Sequence, residues 1–169
     1  MRQEYNIYLV GFMGTGKTTV GRELAGRLGL KFVDIDDLIV DKEKRSINDI
    51  FAESGEPYFR KLEKAVLGEV ALKPNQVVAC GGGIVIDPDN IAGMKKSGKI
   101  FALTASPETI LERTKNDTQR PLLNTEDPFK KITELILKRQ PYYAKADFFI
   151  DTSRLSVDQV TASIIDLLP

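Results

Sequence analysis

A chain of 169 residues can bury one hydrophobic core and leaves little room for a second, so a single globular unit is expected. Its 24 basic and 24 acidic residues cancel, giving no global field to draw it onto nucleic acid, and no apolar run approaches the ~20 residues that span a bilayer. With no histidine, a general base has to be Asp or Glu and a zinc site would lack imidazole; the lone Cys80 excludes an internal disulfide and fits a reducing cytosol.

The first predicted element is a buried strand over residues 5–10, entered directly from M-R-Q-E-Y-N, so neither a signal peptide nor a transit peptide is expected. Residues 11–18 then read G-F-M-G-T-G-K-T. The spacing G-x-x-x-x-G-K-[ST] lets successive backbone N–H groups converge on phosphate oxygens, with Lys17 reaching the β and γ phosphates and the Thr18 hydroxyl on Mg²⁺. A helix carrying Val20, Leu24 and Leu28 follows and stops at Gly29. Strand before and helix behind are the context this motif needs to bind a nucleotide.

A second strand over residues 31–34 ends in F-V-D-I-D-D. Asp34 and Asp36 then stand at the carboxyl edge of the sheet, where open α/β folds put ligands. One carboxylate there can hold water on Mg²⁺ and the other can hydrogen-bond an acceptor hydroxyl as its proton leaves; helix capping is the competing reading. Next comes E-P-Y-F-R-K-L-E, whose apolar face would be Phe59, Leu62, Val66 and Val70 and whose Arg60 has helical spacing to Glu56 and Glu63. A K-P-N turn at residues 73–75 leads to a third strand over residues 76–80. Gly81, Gly82 and Gly83 follow it, and three glycines in a row point to close approach of the backbone to something else.

The fourth strand, residues 99–104, precedes a helix announced by Ser106, Pro107 and Glu108. Residues 115–126, K-N-D-T-Q-R-P-L-L-N-T-E, lack periodicity and read either as a solvated loop or as a lid over phosphates. Arg139 lies in L-K-R-Q-P and could complement a helix C-terminus. The fifth strand spans residues 148–151, and Ser156 with Gln159 forms a capping box for a last helix. Strands alternating with helices predict parallel crossovers in a doubly covered sheet.

The strings D-x-x-G and N-K-x-D of regulatory GTPases do not occur, and the chain is too short for a motor or large ATPase. Taken together, G-F-M-G-T-G-K-T-T-V-G, F-V-D-I-D-D-L-I, S-I-N-D-I-F-A-E-S-G-E-P-Y-F-R-K-L-E, C-G-G-G, Q-R-P-L-L and K-R-Q-P-Y-Y resemble the shikimate kinase family over essentially the whole chain. The phosphate loop is shared widely; the other elements in this order are specific to that family.

The resemblance implies an α/β fold: a three-layer α/β/α P-loop NTPase kinase with a five-stranded parallel sheet in order 2-3-1-4-5 and a lid. It implies one domain over residues 1–169, with an acceptor-binding subregion near 33–61 and the lid near 113–126. The expected reaction moves the ATP γ-phosphate to the 3-hydroxyl of shikimate, on the route to chorismate and aromatic amino acids. Gly14, Thr15, Gly16, Lys17, Thr18 and Thr19 would wrap the ATP phosphates, with Thr18 on Mg²⁺ and Asp34 supporting the metal through water. Asp36 would bind the acceptor hydroxyls; Arg60 and Arg139 would hold the carboxylate, supported by Gly81, Gly82 and Gly83. Arg120 would swing onto the ATP phosphates with the lid, Arg113 would lie near the adenine, and the backbone at Leu155 would contact it. Cys80 departs from the pattern where threonine or an aliphatic residue is expected, and the motif around Leu155 is loose.

A cytoplasmic monomer is expected, binding ATP and shikimate with Mg²⁺ and touching neither nucleic acid nor membrane. Two alternatives are a gluconate kinase-like enzyme and a non-catalytic nucleotide-binding module.

Overall fold

A computed structural model describes residues 4–117 and 123–169. Five strands, β1 (Asn6–Val10), β2 (Lys31–Asp34), β3 (Gln76–Ala79), β4 (Gly98–Thr104) and β5 (Phe148–Asp151), form one parallel sheet in the order β2-β3-β1-β4-β5. The predicted order holds. Tyr5 precedes the first strand rather than opening it, and the third stops at Ala79, although the Cys80 amide still donates to Leu9 O at 3.0 Å.

Parallel neighbours need crossovers, and helices supply them: α1 (Lys17–Leu28), α2 (Ile35–Glu43), α3 (Ile47–Ala71), α4 (Pro88–Ser97), α5 (Pro107–Thr114), α6 (Pro128–Tyr143) and α7 (Val157–Leu167). β1 is buried along its whole length and its side chains alternate between faces. Ile7 and Leu9 pack with Val77, Phe101 and Leu103 against Val20 and Leu24 of α1 and Val160 and Ile164 of α7. Tyr8 and Val10 pack with Val78 and Ile100 on the other face, against Ile39, Val66, Ile91, Ile110 and Ile132 of α2 to α6. Two cores thus sandwich the sheet.

Local signals set the helix ends as expected. Gly29 caps α1 at φ 65, Ser106 precedes a first-turn proline in α5, and the Ser156–Gln159 capping box opens α7. Sequence reading overlooked a kink inside α3: Gly55 takes φ 82 and ψ 166, with Pro57 two residues on, so two helical segments meet there.

The helix after β1 lies on one face and those after β2 and β3 on the other. Chain leaving β1 therefore diverges from chain leaving β3, its neighbour in the sheet, and a crevice opens between them at the carboxyl edge.

At the opposite edge the buried Asn6 closes a polar network: its Oδ1 accepts the Gln76 amide at 3.0 Å and its Nδ2 donates to Lys73 O at 2.9 Å. Asn6→Ala strands that Gln76 N–H, so the expected loss is about 2 kcal/mol of unfolding free energy in urea titrations. An unchanged midpoint would contradict the network's role.

Candidate functional site

The loop between β1 and α1 curls under positive φ at Gly14 (78) and Gly16 (100), with Gly16 as the N-cap of α1. An L side chain rarely takes either angle, so glycine is needed for the backbone N–H groups to turn inward at the positive end of the helix. Lys17 donates from Nζ to Gly11 O at 2.6 Å and Phe12 O at 3.0 Å. The Thr15 hydroxyl donates to Phe12 O at 2.8 Å and is buried, while Thr18 and Thr19 are exposed.

Asp34 satisfies both readings drawn from the sequence. Its Oδ1 caps α2, accepting the Asp36 amide at 2.9 Å and the Asp37 amide at 3.3 Å; its Oδ2 accepts the Thr18 hydroxyl at 3.0 Å. A hydroxyl and a carboxylate oxygen beside a phosphate loop suit a hard divalent cation, which takes its remaining ligands from phosphate and water. Among the described residues no group of three or more acidic, cysteine or histidine side chains forms a metal cage.

The glycine triplet lies across the crevice, and each position is crowded by a charged side chain. A Cβ on Gly81 would fall 2.8 Å from Glu63 Oε2 and 3.3 Å from Asp36 Oδ1; one on Gly82 would fall 3.3 Å from Arg139 Nη1; one on Gly83 would collide with the Arg60 guanidinium. Two guanidinium groups, 79 residues apart in the chain, thus reach adjacent glycines. Arg139 points inward, buried at 5% exposure beside the Phe12 ring, rather than toward the end of α6. Arg60 keeps the surface pairing with Glu56 at 3.1 Å and also pairs inward with Glu63 at 2.9 Å.

One cavity of about 750 Å³ joins these parts, lined by the phosphate loop, Asp34, Asp36, Arg60, Arg139, the triplet and an apolar wall that includes Val40, Ile47 and Phe51. Arg113 borders it too, donating to Gly14 O at 3.1 Å and to Thr152 O at 2.9 Å. Leu155 does not line the cavity; it packs against the core beneath α1 and α7. Arg120 lies outside the described residues, as does part of the predicted lid. Cys80 is buried at the cavity floor, where burial first and the Glu63 charge second push its thiol far up, so it stays protonated.

Glu63 is the residue that sequence reading missed. It is wholly buried, and its Oε2 has no hydrogen-bond partner among the described residues. The carboxyl stands at about 7 against its ordinary 4.5: burial raises it most, the Arg60 guanidinium pulls it part of the way back, and the Asp36 charge raises it again. The clue lay in the helical stripe Phe59, Glu63, Val66, Val70, where a carboxylate occupies an apolar position. Tyr143 lies nearby: its hydroxyl donates to Gly82 O, and burial pushes its phenol up to about 12.

Comparison with known proteins bears on the same chain. A family profile described as Shikimate kinase matches residues 13–169. Shikimate kinase of Thermodesulfovibrio yellowstonii is 47% identical across 95% of this chain and 92% of its own, and that of Caldanaerobacter subterraneus is 46% identical across 95% and 94%. Among solved structures, shikimate kinase from Acinetobacter baumannii in complex with shikimate superposes with a TM-score of 0.95 at 39% identity, covering 98% of this chain and 93% of that one. Shikimate kinase from Aquifex aeolicus gives 0.84 at 36% identity, covering 95% and 94%.

A carboxyl group whose pKa rises on folding contributes stability that is complete below about 4.5 and lost as pH climbs through about 7. The melting temperature should therefore fall more steeply between pH 5 and 7.5 in the parent than in Glu63→Gln, as read by scanning calorimetry. Parallel curves would remove Glu63 as the titrating group.

Proposed function

The chain belongs to the shikimate kinase family, and we propose on that footing that it transfers the γ-phosphate of ATP to the 3-hydroxyl of shikimate, giving shikimate 3-phosphate and ADP. The observation that carries this reading is the meeting of Arg60 and Arg139 on the glycine triplet, facing Asp36 and the phosphate loop within one cavity. A neutral protein that binds a small organic anion needs local cations, and two guanidinium forks can grip one planar carboxylate with directional hydrogen bonds.

In this reading Arg60, Arg139 and the backbone of Gly81, Gly82 and Gly83 hold the acceptor's carboxylate, so that its ring lies toward Asp36. Asp36 binds the ring hydroxyls, orients the one that attacks and takes up its proton as the bond to phosphorus forms. Gly14 to Thr19 wrap the phosphates, and Lys17 leaves the Gly11 and Phe12 carbonyls for the transferring group. Thr18 directly, and Asp34 through water, would hold a magnesium ion, which when bound neutralises charge on the phosphate oxygens. Arg113 and the backbone at Leu155 flank the base.

Closure of residues 113–126, with Arg120 carried inward, keeps water from competing as acceptor. Most of the rate enhancement then comes from positioning and charge stabilisation, which require no histidine. We assign residues 1–169 to one kinase domain with its acceptor subregion near 33–61, acting as a cytoplasmic monomer. Among the described residues no helix is long and apolar enough to cross a membrane.

ADP release measured in parallel with shikimate, gluconate and AMP tests the proposal. Shikimate should give the fastest turnover; faster turnover of gluconate or AMP would end it, and ATP binding without acceptor-stimulated ADP release would mark a non-catalytic module. Asp36→Asn should lower kcat by about 10²-fold or more while ATP affinity stays within a few-fold. Equal losses in both would contradict its role.

A further inference from the structure

Thr152, just beyond β5, is 2% exposed and polar, and nothing in the reaction described above uses it. Its hydroxyl lies at the centre of a junction. Arg113 Nη1 donates to Thr152 Oγ1 at 3.0 Å, and the hydroxyl faces Thr15 O and Thr104 O, each at 3.0 Å. Thr104 O already receives the Thr152 amide at 2.8 Å. A hydroxyl has a single proton to give, and the carbonyl at Thr15 belongs to the phosphate loop.

We propose that Thr152 is a positioning residue for the nucleotide, acting through a relay in which Arg113 donates to the Thr152 hydroxyl and that hydroxyl donates to Thr15 O. The effect follows from peptide geometry. The carbonyl of Thr15 and the N–H of Gly16 share one planar trans peptide and point to opposite sides of it. Drawing Thr15 O outward onto Thr152 turns the Gly16 N–H toward the cavity that Gly16 lines, where it adds to the anion-binding nest. Arg113 fastens the preceding peptide as well, by its bond to Gly14 O at 3.1 Å. Two consecutive carbonyls of the loop are thereby fixed from outside before any phosphate arrives, which lowers the ordering cost of binding.

The relay touches no part of the acceptor side. Arg60, Arg139, Asp36 and the glycine triplet make none of its hydrogen bonds. Loss of the Thr152 hydroxyl should consequently separate the two substrates, whereas a fault in folding would lower the active fraction and leave both affinities as they were.

The inference rests on the nucleotide half of the proposed function and is tested apart from the acceptor half. Thr152→Val keeps the shape and removes the hydroxyl; Thr152→Ser keeps the hydroxyl. Calorimetric titration with ADP and magnesium, without acceptor, should show about tenfold weaker binding in Thr152→Val and binding within twofold of the parent in Thr152→Ser, a loss in keeping with a buried hydrogen bond near a charged ligand. Shikimate affinity, titrated separately, should stay within twofold in both variants. ADP binding by Thr152→Val equal to the parent's would overturn the inference, as would a Thr152→Ser variant as weak as Thr152→Val or equal loss of both affinities. Failure of the parent to turn over shikimate would count against the proposed acceptor and leave the ADP ratio readable.

Discussion

Every strand of the sheet ends at the same edge, and the site depends on that parallel arrangement. In an antiparallel sheet, the phosphate loop after β1, Asp34 at the end of β2, the glycine triplet after β3 and Thr152 after β5 would scatter to both ends. Here they form one rim. The crossovers after β1 and β3 leave on opposite faces of the sheet, and this opens the rim where the loop and the triplet face each other. A fold whose core is built largely from Ile, Val, Leu and Phe thereby assembles a polar site at its rim, and among the described residues the buried polar side chains on the strands are Asn6 and Gln76 at the far edge.

The second constraint is charge. Two buried or half-buried guanidinium groups in one cavity repel each other and lose hydration, so a balancing anion is required. Glu63 supplies it, and its Oε2, without a hydrogen-bond partner among the described residues, shows that Arg60 does not satisfy both carboxylate oxygens. The three glycines are the steric counterpart. Each omits a methyl group from space that a carboxylate or guanidinium already fills, so charges can lie against backbone rather than against side chains.

Much of this was legible in the sequence because the signals were local. G-K-T behind an apolar run, D-I-D at a strand end and three consecutive glycines each require a particular backbone, and the strand order followed from the family they resemble. Side-chain direction was not legible. Arg60 has helical spacing to both Glu56 and Glu63, and sequence cannot say that one partner faces solvent while the other is buried. Arg139 read equally well as a charge at a helix end. Glu63 hid among apolar neighbours, and Thr152 gains its importance only from residues 15, 104 and 113, which the chain brings to it from far away. The kink in α3 was overlooked because the apolar spacing runs on past Gly55 and Pro57, and only the backbone shows Gly55 at a non-helical φ of 82.

The bonds from Lys17 to Gly11 O and Phe12 O make the ammonium an intramolecular competitor for its own binding loop. An incoming anion gains only the difference between its attraction and that of two carbonyl dipoles already in place. A small monoanion brings less charge to that exchange than a polyphosphate does. Under the proposed function, preference for polyphosphates then rests partly on what the lysine leaves behind.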